Sequence, residues 1–315
     1  MKTIAYDSKY KQEILQLWNQ ELPADVINEE RFLATVLLDE NFSADYFRLY
    51  IKNNHVVGFI WAVYRQMPYG DRGLEQTRGW IVAMAVNKEN QNQGLATCLV
   101  KEVEEQMIER KISAITLGAY SPNYLFPGVD VYAYASAVEF FKKMGYVVGS
   151  EAVSMERSLH NFHLENNYLN QRVELIAKGY HLTRFVLSDA EELLLFLKEN
   201  FGGGWSKNVV EAIKMKRAFE TILVLKNKEG TIVGYCQRAI DGNAERFGPF
   251  GVKKELRGLR LGMYLFNEML DEMKKNQIYH VYFLWTGGSA QRFYERNGML
   301  VYRTYRLMNK IIKER

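Results

Sequence analysis

With 315 residues, 48% of them hydrophobic and 25% charged, the chain has an ordinary globular balance and enough length for about two domains with separate cores. A formal charge of +4 is too mild to argue for nucleic acid and suits an anionic small molecule. Two cysteines (Cys98 and Cys236) and five scattered histidines offer neither a disulfide framework nor a metal-ligand cluster. The N-terminus lacks the long apolar core of a signal peptide, and no apolar run reaches the length of a membrane span. A soluble cytoplasmic protein with no metal, membrane or nucleic-acid partner is the expectation, as a monomer or homodimer.

Helical periodicity opens the chain over residues 9–19 and 29–38, with Ser8 as a candidate N-cap. Strand patterns follow over 46–51 and 55–63, joined by the turn at 52–54, and then over 80–86. Leu95, Leu99, Val103 and Met107 recur at helical spacing, and a strand is predicted over 114–119. A later helix carries Phe140, Phe141 and Gly145. Residues 160–177 read as a polar segment turning helical. They separate an N-terminal domain over 1–160 from a C-terminal domain over 179–315, with 161–178 as the connection. The order then repeats: helices over 189–199 and 208–218, strands over 221–226, 231–239 and 246–252, a helix marked by Leu261, Leu265, Met269 and Met273, and a strand over 280–285. This is an α/β pattern with helices on both faces of a mixed sheet.

The repeat is sharpest at one loop. Val86-Asn-Lys-Glu-Asn-Gln91-Asn92-Gln93-Gly94-Leu95-Ala96 corresponds to Val252-Lys-Lys-Glu-Leu-Arg257-Gly258-Leu259-Arg260-Leu261-Gly262. Each copy joins a strand to an amphipathic helix. Each is followed by Phe-aromatic-x-x-x-Gly: Phe140 to Gly145, then Phe293-Tyr294 to Gly298. The first N–H groups of a helix have no intrahelical partner, and the macrodipole makes that end electropositive. Small residues let those amides approach a pyrophosphate. Gly94 and Ala96 supply them in one half, Gly258 and Gly262 in the other, and Gln91 and Arg257 add side-chain donors.

These segments resemble the GNAT acetyltransferase superfamily, whose pyrophosphate loop is Gln/Arg-x-x-Gly-x-Gly/Ala. Residues Gln91 to Ala96 match it fully, whereas Arg257 to Gly262 place Arg260 where the middle glycine is expected. The resemblance covers nearly the whole chain. It implies two tandem GNAT domains, each a mixed, mostly antiparallel sheet flanked by helices on both faces. It also implies acetyl-CoA as donor and a primary amine as acceptor. Bound pantetheine would pair with the splayed fourth strand, at Met84-Ala85-Val86 or Phe250-Gly251-Val252, where the N–H of Met84 or Phe250 polarises the thioester carbonyl. Family members commonly carry a tyrosine just after the phenylalanine of the later helix, as general acid for the leaving thiolate. Tyr294 holds that position in the second half and Phe141 in the first, which directs the expected catalysis to the second half.

On the acceptor side, Glu245 is a candidate base for the ammonium, or a solvated glutamate at a strand end. Trp285 and Thr286 end the fifth strand, at the edge where ligands gather in open α/β sheets. Trp205 follows three glycines, either as a substrate cover or as a core anchor. The segment 120–130, with two prolines and several aromatics, suits a pocket wall or, preferentially, a domain interface. Some bacterial tandem GNAT proteins with similar Trp-Thr-Gly and Phe-Tyr elements resemble glucosaminide N-acetyltransferases, which brings amino sugars among the acceptors. Aminoglycoside or peptide amines, or acyl-CoA binding without catalysis, are the alternatives.

Overall fold

The computed structural model describes residues 2–122 and 124–312; Asn123, inside the 120–130 segment, lies outside the described residues. The chain divides into two compact units. One comprises residues 1–152 with 303–315, and the other residues 153–302. The sequence repeats are contiguous but the first compact unit is not, because the chain's last strand returns to it after the second unit.

In the first unit the order is β1 (Lys2–Ala5), α1 (Lys11–Glu21), α2 (Glu29–Phe32), β2 (Phe47–Lys52), β3 (His55–Tyr64), β4 (Arg78–Val86), α3 (Leu95–Glu109), β5 (Ala114–Leu117), β6 (Val129–Asp130), α4 (Ala135–Lys143) and the start of β7 (Val147–Ser158). Strands β1 to β4 pair antiparallel in sequence order, and β5 joins β4 in parallel. The chain's last strand, spanning Leu300–Ile311, completes this sheet by pairing antiparallel with β5 and β6. The middle strands are apolar on both faces, because helices cover both. Phe59, Trp61 and Val63 pack with Ile14, Leu17 and Trp18 of α1. The alternate residues Ile60 and Ala62 pack with Leu99, Val103 and Met107 of α3. That split follows the period of two along a strand.

The second unit continues from β7 through α5 (Asn166–Ala177), β8 (His181–Arg184), α6 (Ala190–Phe201), α7 (Gly203–Lys214), α8 (Ala218–Thr221), β9 (Ile222–Lys226), β10 (Ile232–Arg238), β11 (Phe247–Val252), α9 (Leu261–Lys275), β12 (His280–Thr286) and α10 (Gly288–Arg296) to the start of β13 (Leu300–Ile311). Strands β8 to β11 form an antiparallel sheet, and β12 pairs antiparallel with the end of β7. Leu223 and Leu225 face Leu265, Met269 and Met273 of α9. Ile222 and Val224 face Leu193, Leu197 and Val209 of α6 and α7.

One expected boundary moves. The spacing predicts a loop over the glycines after Phe201, with a helix from about 208. Only Gly202 breaks the helix, at φ 85°, and Gly203, Gly204 and Trp205 form the first turn of α7. A single left-handed glycine is enough to end α6 and reset the backbone.

Two glycines show how deep the repeat runs. A Cβ on Gly58 of β3 would stand 3.3 Å from Val86 and 3.4 Å from Leu99. On Gly234 of β10 it would stand 3.2 Å from Val252 and 2.9 Å from Leu265. The same three-way contact recurs, so each loop-bearing helix sits equally close to its sheet.

Candidate active site

Each unit's fourth strand carries an extra residue opposite its antiparallel neighbour. In β4 the register slips so that Trp61 faces Ala83 while Ala62 faces Ile81, leaving Val82 over. In β11 the slip falls between Phe250 and Phe247, at Gly248-Pro249. Such bulges bend the strand and disrupt its ladder locally. Strand β4 keeps its pairing with β5 only from Arg78 to Ile81; the Gly118 N–H donates to the Ile81 carbonyl at 2.9 Å and the chain then leaves. Strand β11 has a single parallel bridge to β12, between Arg246 and Tyr282. Both units therefore hold a wedge between fourth and fifth strands.

The backbone facing the first wedge follows from the register. The Asn87 N–H donates to the Val57 carbonyl at 2.9 Å, which makes Gly58 and Val86 a non-hydrogen-bonded pair. Two residues back, Met84 and Ile60 are the same kind of pair, so the Met84 N–H and C=O point away from β3, into the wedge. The Lys253 N–H donates to Val233 at 2.9 Å, and the same alternation turns the Phe250 N–H outward in the second unit.

What fills the wedges differs. The first holds a cavity of about 80 Å³ that opens to solvent. Val82, Ala83 and Met84 form one wall, Gly118 and Gly128 another, and Tyr134 and Phe141 of the α4 region close it. Phe126 also lines it, so the 120–130 segment is a pocket wall. In the second unit, Phe250 stands where Met84 stands. Its ring meets Phe247, Phe266, Phe293 and Tyr294 at centroid distances of 5.6–6.3 Å. Tyr294 also packs on Phe283 at 4.4 Å. Burial among these rings, with a smaller electrostatic push from Cys236 and an opposing pull from Arg246, raises the Tyr294 pKa well above the ordinary phenol value. The side chain is nonetheless only partly buried, and its hydroxyl has no hydrogen-bond partner among the described residues.

The two loops share a backbone. Asn92 and Gly94 are left-handed (φ 59° and 84°), and so are Gly258 and Arg260 (φ 88° and 64°). Arg260 thus copies the glycine it replaces, at a cost of roughly 1–2 kcal/mol for a residue with a Cβ. The Gln91 amide donates to the Val86 carbonyl at 2.9 Å, and Gln93 donates to Glu89 at 3.0 Å. Both contacts brace the first loop. A Cβ on Gly94 would meet nothing within 4 Å, so the approach to the free N–H groups of Leu95 and Ala96 is clear. The second loop borders a cleft of about 540 Å³ whose lining includes Arg257, Gly258, Arg260, Leu261, Gly262 and Arg296. Leu259 is exposed at its rim.

The acceptor-side candidates fall elsewhere. Glu245 lies at the closed end of the second wedge. Its main-chain carbonyl accepts from the Tyr282 N–H at 3.1 Å, and its carboxylate meets His280 Nδ1 at 3.1 Å. Glu156 meets His280 Nε2 at 3.2 Å. Partial burial opposes a charged His280, but the bonds to Glu245 and Glu156 outweigh it and raise its pKa. Trp205 stacks on Phe201 at 4.4 Å, and both lie where a Cβ on Gly251 would go, which is a core-anchoring position. Thr286 is buried opposite Val153, and Trp285 is exposed. Tyr134 was not singled out in the sequence. The only local cue is its place just before α4; its partners, Asp25 and Arg303, lie far off in the chain.

Two family models match the chain and together cover more than half of it: "Acetyltransferase (GNAT) family" over residues 11–146 and "Acetyltransferase (GNAT) domain" over residues 218–298. The chain belongs to the GNAT acetyltransferase family. Similar solved structures share the tandem GNAT fold at low identity. A glucosamine N-acetyltransferase region of a fungal multi-domain GH3 β-N-acetylglucosaminidase aligns at TM-score 0.80 and 17% identity, over 98% of this chain and 38% of that one. The chain therefore spans well under half of that protein. A GCN5-related N-acetyltransferase from Sphaerobacter thermophilus aligns at 0.73 and 18%, over 99% and 96%. A tandem GNAT protein from the clavulanic acid biosynthesis pathway aligns at 0.65 and 13%, over 100% and 99%. No curated protein sequence matches the chain. The GNAT family uses acetyl-CoA, and the first unit's cavity, outward Met84 N–H and uncluttered loop fit that donor. No helix of the described residues is long and apolar enough to cross a membrane.

Proposed function

We propose that this GNAT protein acetylates a primary amine of a small molecule, and that transfer takes place in the N-terminal unit. The cavity of about 80 Å³ beside the outward Met84 N–H, opening to solvent between the fourth and fifth strands, is the observation that carries this reading. Acetyl-CoA supplies the activated acyl group. Residues Gln91 to Ala96 hold its pyrophosphate through main-chain N–H groups, and Met84, Ala85 and Val86 line its pantetheine arm. The Met84 N–H is placed to bind the oxygen that gains charge when an amine attacks a thioester. Apolar walls exclude water there and strengthen that hydrogen bond.

Tyr294 favoured the C-terminal repeat when only the sequence was considered. Its phenylalanine cage and the Phe250 ring in the corresponding wedge favour the opposite assignment. The C-terminal loop, lined by Arg257, Arg260 and Arg296, suits binding of a phosphorylated ligand without acyl transfer. The work of Glu245 is then its pairing with His280. Glucosamine is the first acceptor to try, because the fold is shared with a glucosamine N-acetyltransferase region. A cytoplasmic setting, where acetyl-CoA is made and used, suits this reaction.

Purified protein, acetyl-CoA and a panel of primary amines, with free thiol as the readout, test the reading. Amine-dependent thiol release that survives Tyr294→Phe within about twofold is expected. Release that collapses in Tyr294→Phe returns catalysis to the C-terminal unit.

A further inference from the structure

The helix after the wedge presents a tyrosine to its unit in both repeats, but from different places. Helices α4 and α10 are nine residues long. Tyr134 is the N-cap of α4 and Phe141 follows seven residues later. Gly287 is the N-cap of α10 and Tyr294 follows seven residues later. Residues seven apart share a helix face, about 10 Å apart along the axis. Tyr134, Ala137 and Phe141 accordingly line the same cavity. The repeat that has lost the later tyrosine has gained one two turns earlier, facing its open wedge.

Tyr134 is held by a buried charge cluster. Its hydroxyl donates to Asp25 Oδ2 at 2.7 Å. The Arg303 guanidinium forks onto both Asp25 oxygens at 2.6 and 2.7 Å, and its Nε donates to Asp130 at 2.6 Å. The N–H groups of Tyr132 and Ala133 donate to the other Asp130 oxygen, both at 2.9 Å. This fixes the Tyr134 proton on Asp25, and the phenol oxygen, which the Ala24 N–H also approaches, keeps a lone pair as an acceptor. Asp25 and Asp130 share the Arg303 guanidinium, and Arg31 lines the small cavity beside Asp25, so the cluster is a fixed polar frame for the Tyr134 hydroxyl. Asp25 also lines a small cavity of about 30 Å³ that shares Phe126 with the wedge.

Resting on the N-terminal assignment above, we propose that Tyr134 is the acceptor-recognition residue. Its oxygen accepts an N–H of the incoming amine, while Arg303 and Asp25 position it. Arg303 and Asp25 act through Tyr134 and are positioning residues.

Tyr134→Phe keeps the ring and removes the oxygen. Glucosamine, spermidine and glycinamide are the amine probes, glucose the neutral control for glucosamine. Two readouts are taken: binding of each probe without acetyl-CoA, by calorimetry, and steady-state kinetics. A hydrogen bond to a charged group implies a loss of about 10- to 100-fold. The expected result is that loss in amine affinity and in kcat/KM for the amine, with the KM for acetyl-CoA within twofold and glucose binding unchanged. Unchanged amine binding and kinetics in Tyr134→Phe, with turnover still abolished by Gly94→Glu, overturns this inference alone. A parallel loss of acetyl-CoA affinity also overturns it, by making Tyr134 structural. Wild-type protein that neither binds nor acetylates any of the three amines overturns the proposed function and this inference together.

Discussion

In the N-terminal unit, Met84 and the glycines Gly118 and Gly128 leave the space between β4 and β5 open, and Phe141 and Tyr134 wall it. In the C-terminal unit, Phe250 replaces Met84, and its ring joins Phe247, Phe266, Phe293 and Tyr294 in one aromatic cluster. The bulge, the turned-out N–H and the left-handed loop survive in both units. The two units keep the same backbone at this place while side chains at a few positions fill one wedge and leave the other open. A loop motif alone therefore misjudges such a pair: Arg260 leaves its loop's geometry intact, whereas Phe250, which departs from no motif, fills the wedge.

The largest expected effect comes from the loops. Gly94→Glu introduces a carboxylate beside the phosphates and a Cβ at φ 84°, so turnover and acetyl-CoA binding by the N-terminal unit fall by about 100-fold or more. Arg260→Glu, the matched change in the other loop, leaves turnover within about twofold. Equal losses in the two variants, measured as free thiol, would erase the distinction between the units.

Stability gives the next effect. Arg303→Met strands Asp25 and Asp130 in a buried site, and losing one partner of such a cluster costs about 3–5 kcal/mol. Chemical denaturation followed by tryptophan fluorescence should report that loss. A change below about 1 kcal/mol would mean that the cluster does not hold Tyr134.

The smallest effect belongs to the C-terminal unit. His280 has a raised pKa between Glu245 and Glu156, so its charged form is favoured by folding. That stability is fully present below the unfolded histidine value near 6.5 and is lost as pH rises through the higher folded value. Because the groups are about two-fifths exposed, solvent screening keeps the contribution under about 1 kcal/mol. His280→Gln should remove this pH dependence and leave turnover unchanged. A shifted pH–rate profile would instead tie Glu245 and His280 to the chemistry.

Much of the fold was legible because it rests on local periodicity. The spacing of Leu261, Leu265, Met269 and Met273 predicts a buried helix face, and all four are buried in α9. The loops were legible because they are contiguous. What escaped was long-range. The return of the last strand to the first unit leaves no local signal, and the Tyr134–Asp25–Arg303 contact joins residues 109 and 278 positions apart. The three-glycine segment misled because one left-handed glycine suffices to break a helix, and the next two were free to start another.

The most direct test of the account is a crystal structure with acetyl-CoA. The account predicts the thioester in the N-terminal wedge, its carbonyl within hydrogen-bonding reach of the Met84 N–H and its pyrophosphate on the loop from Gln91 to Ala96. A thioester seated instead beside Phe250 and Tyr294, with the N-terminal wedge empty, would contradict it.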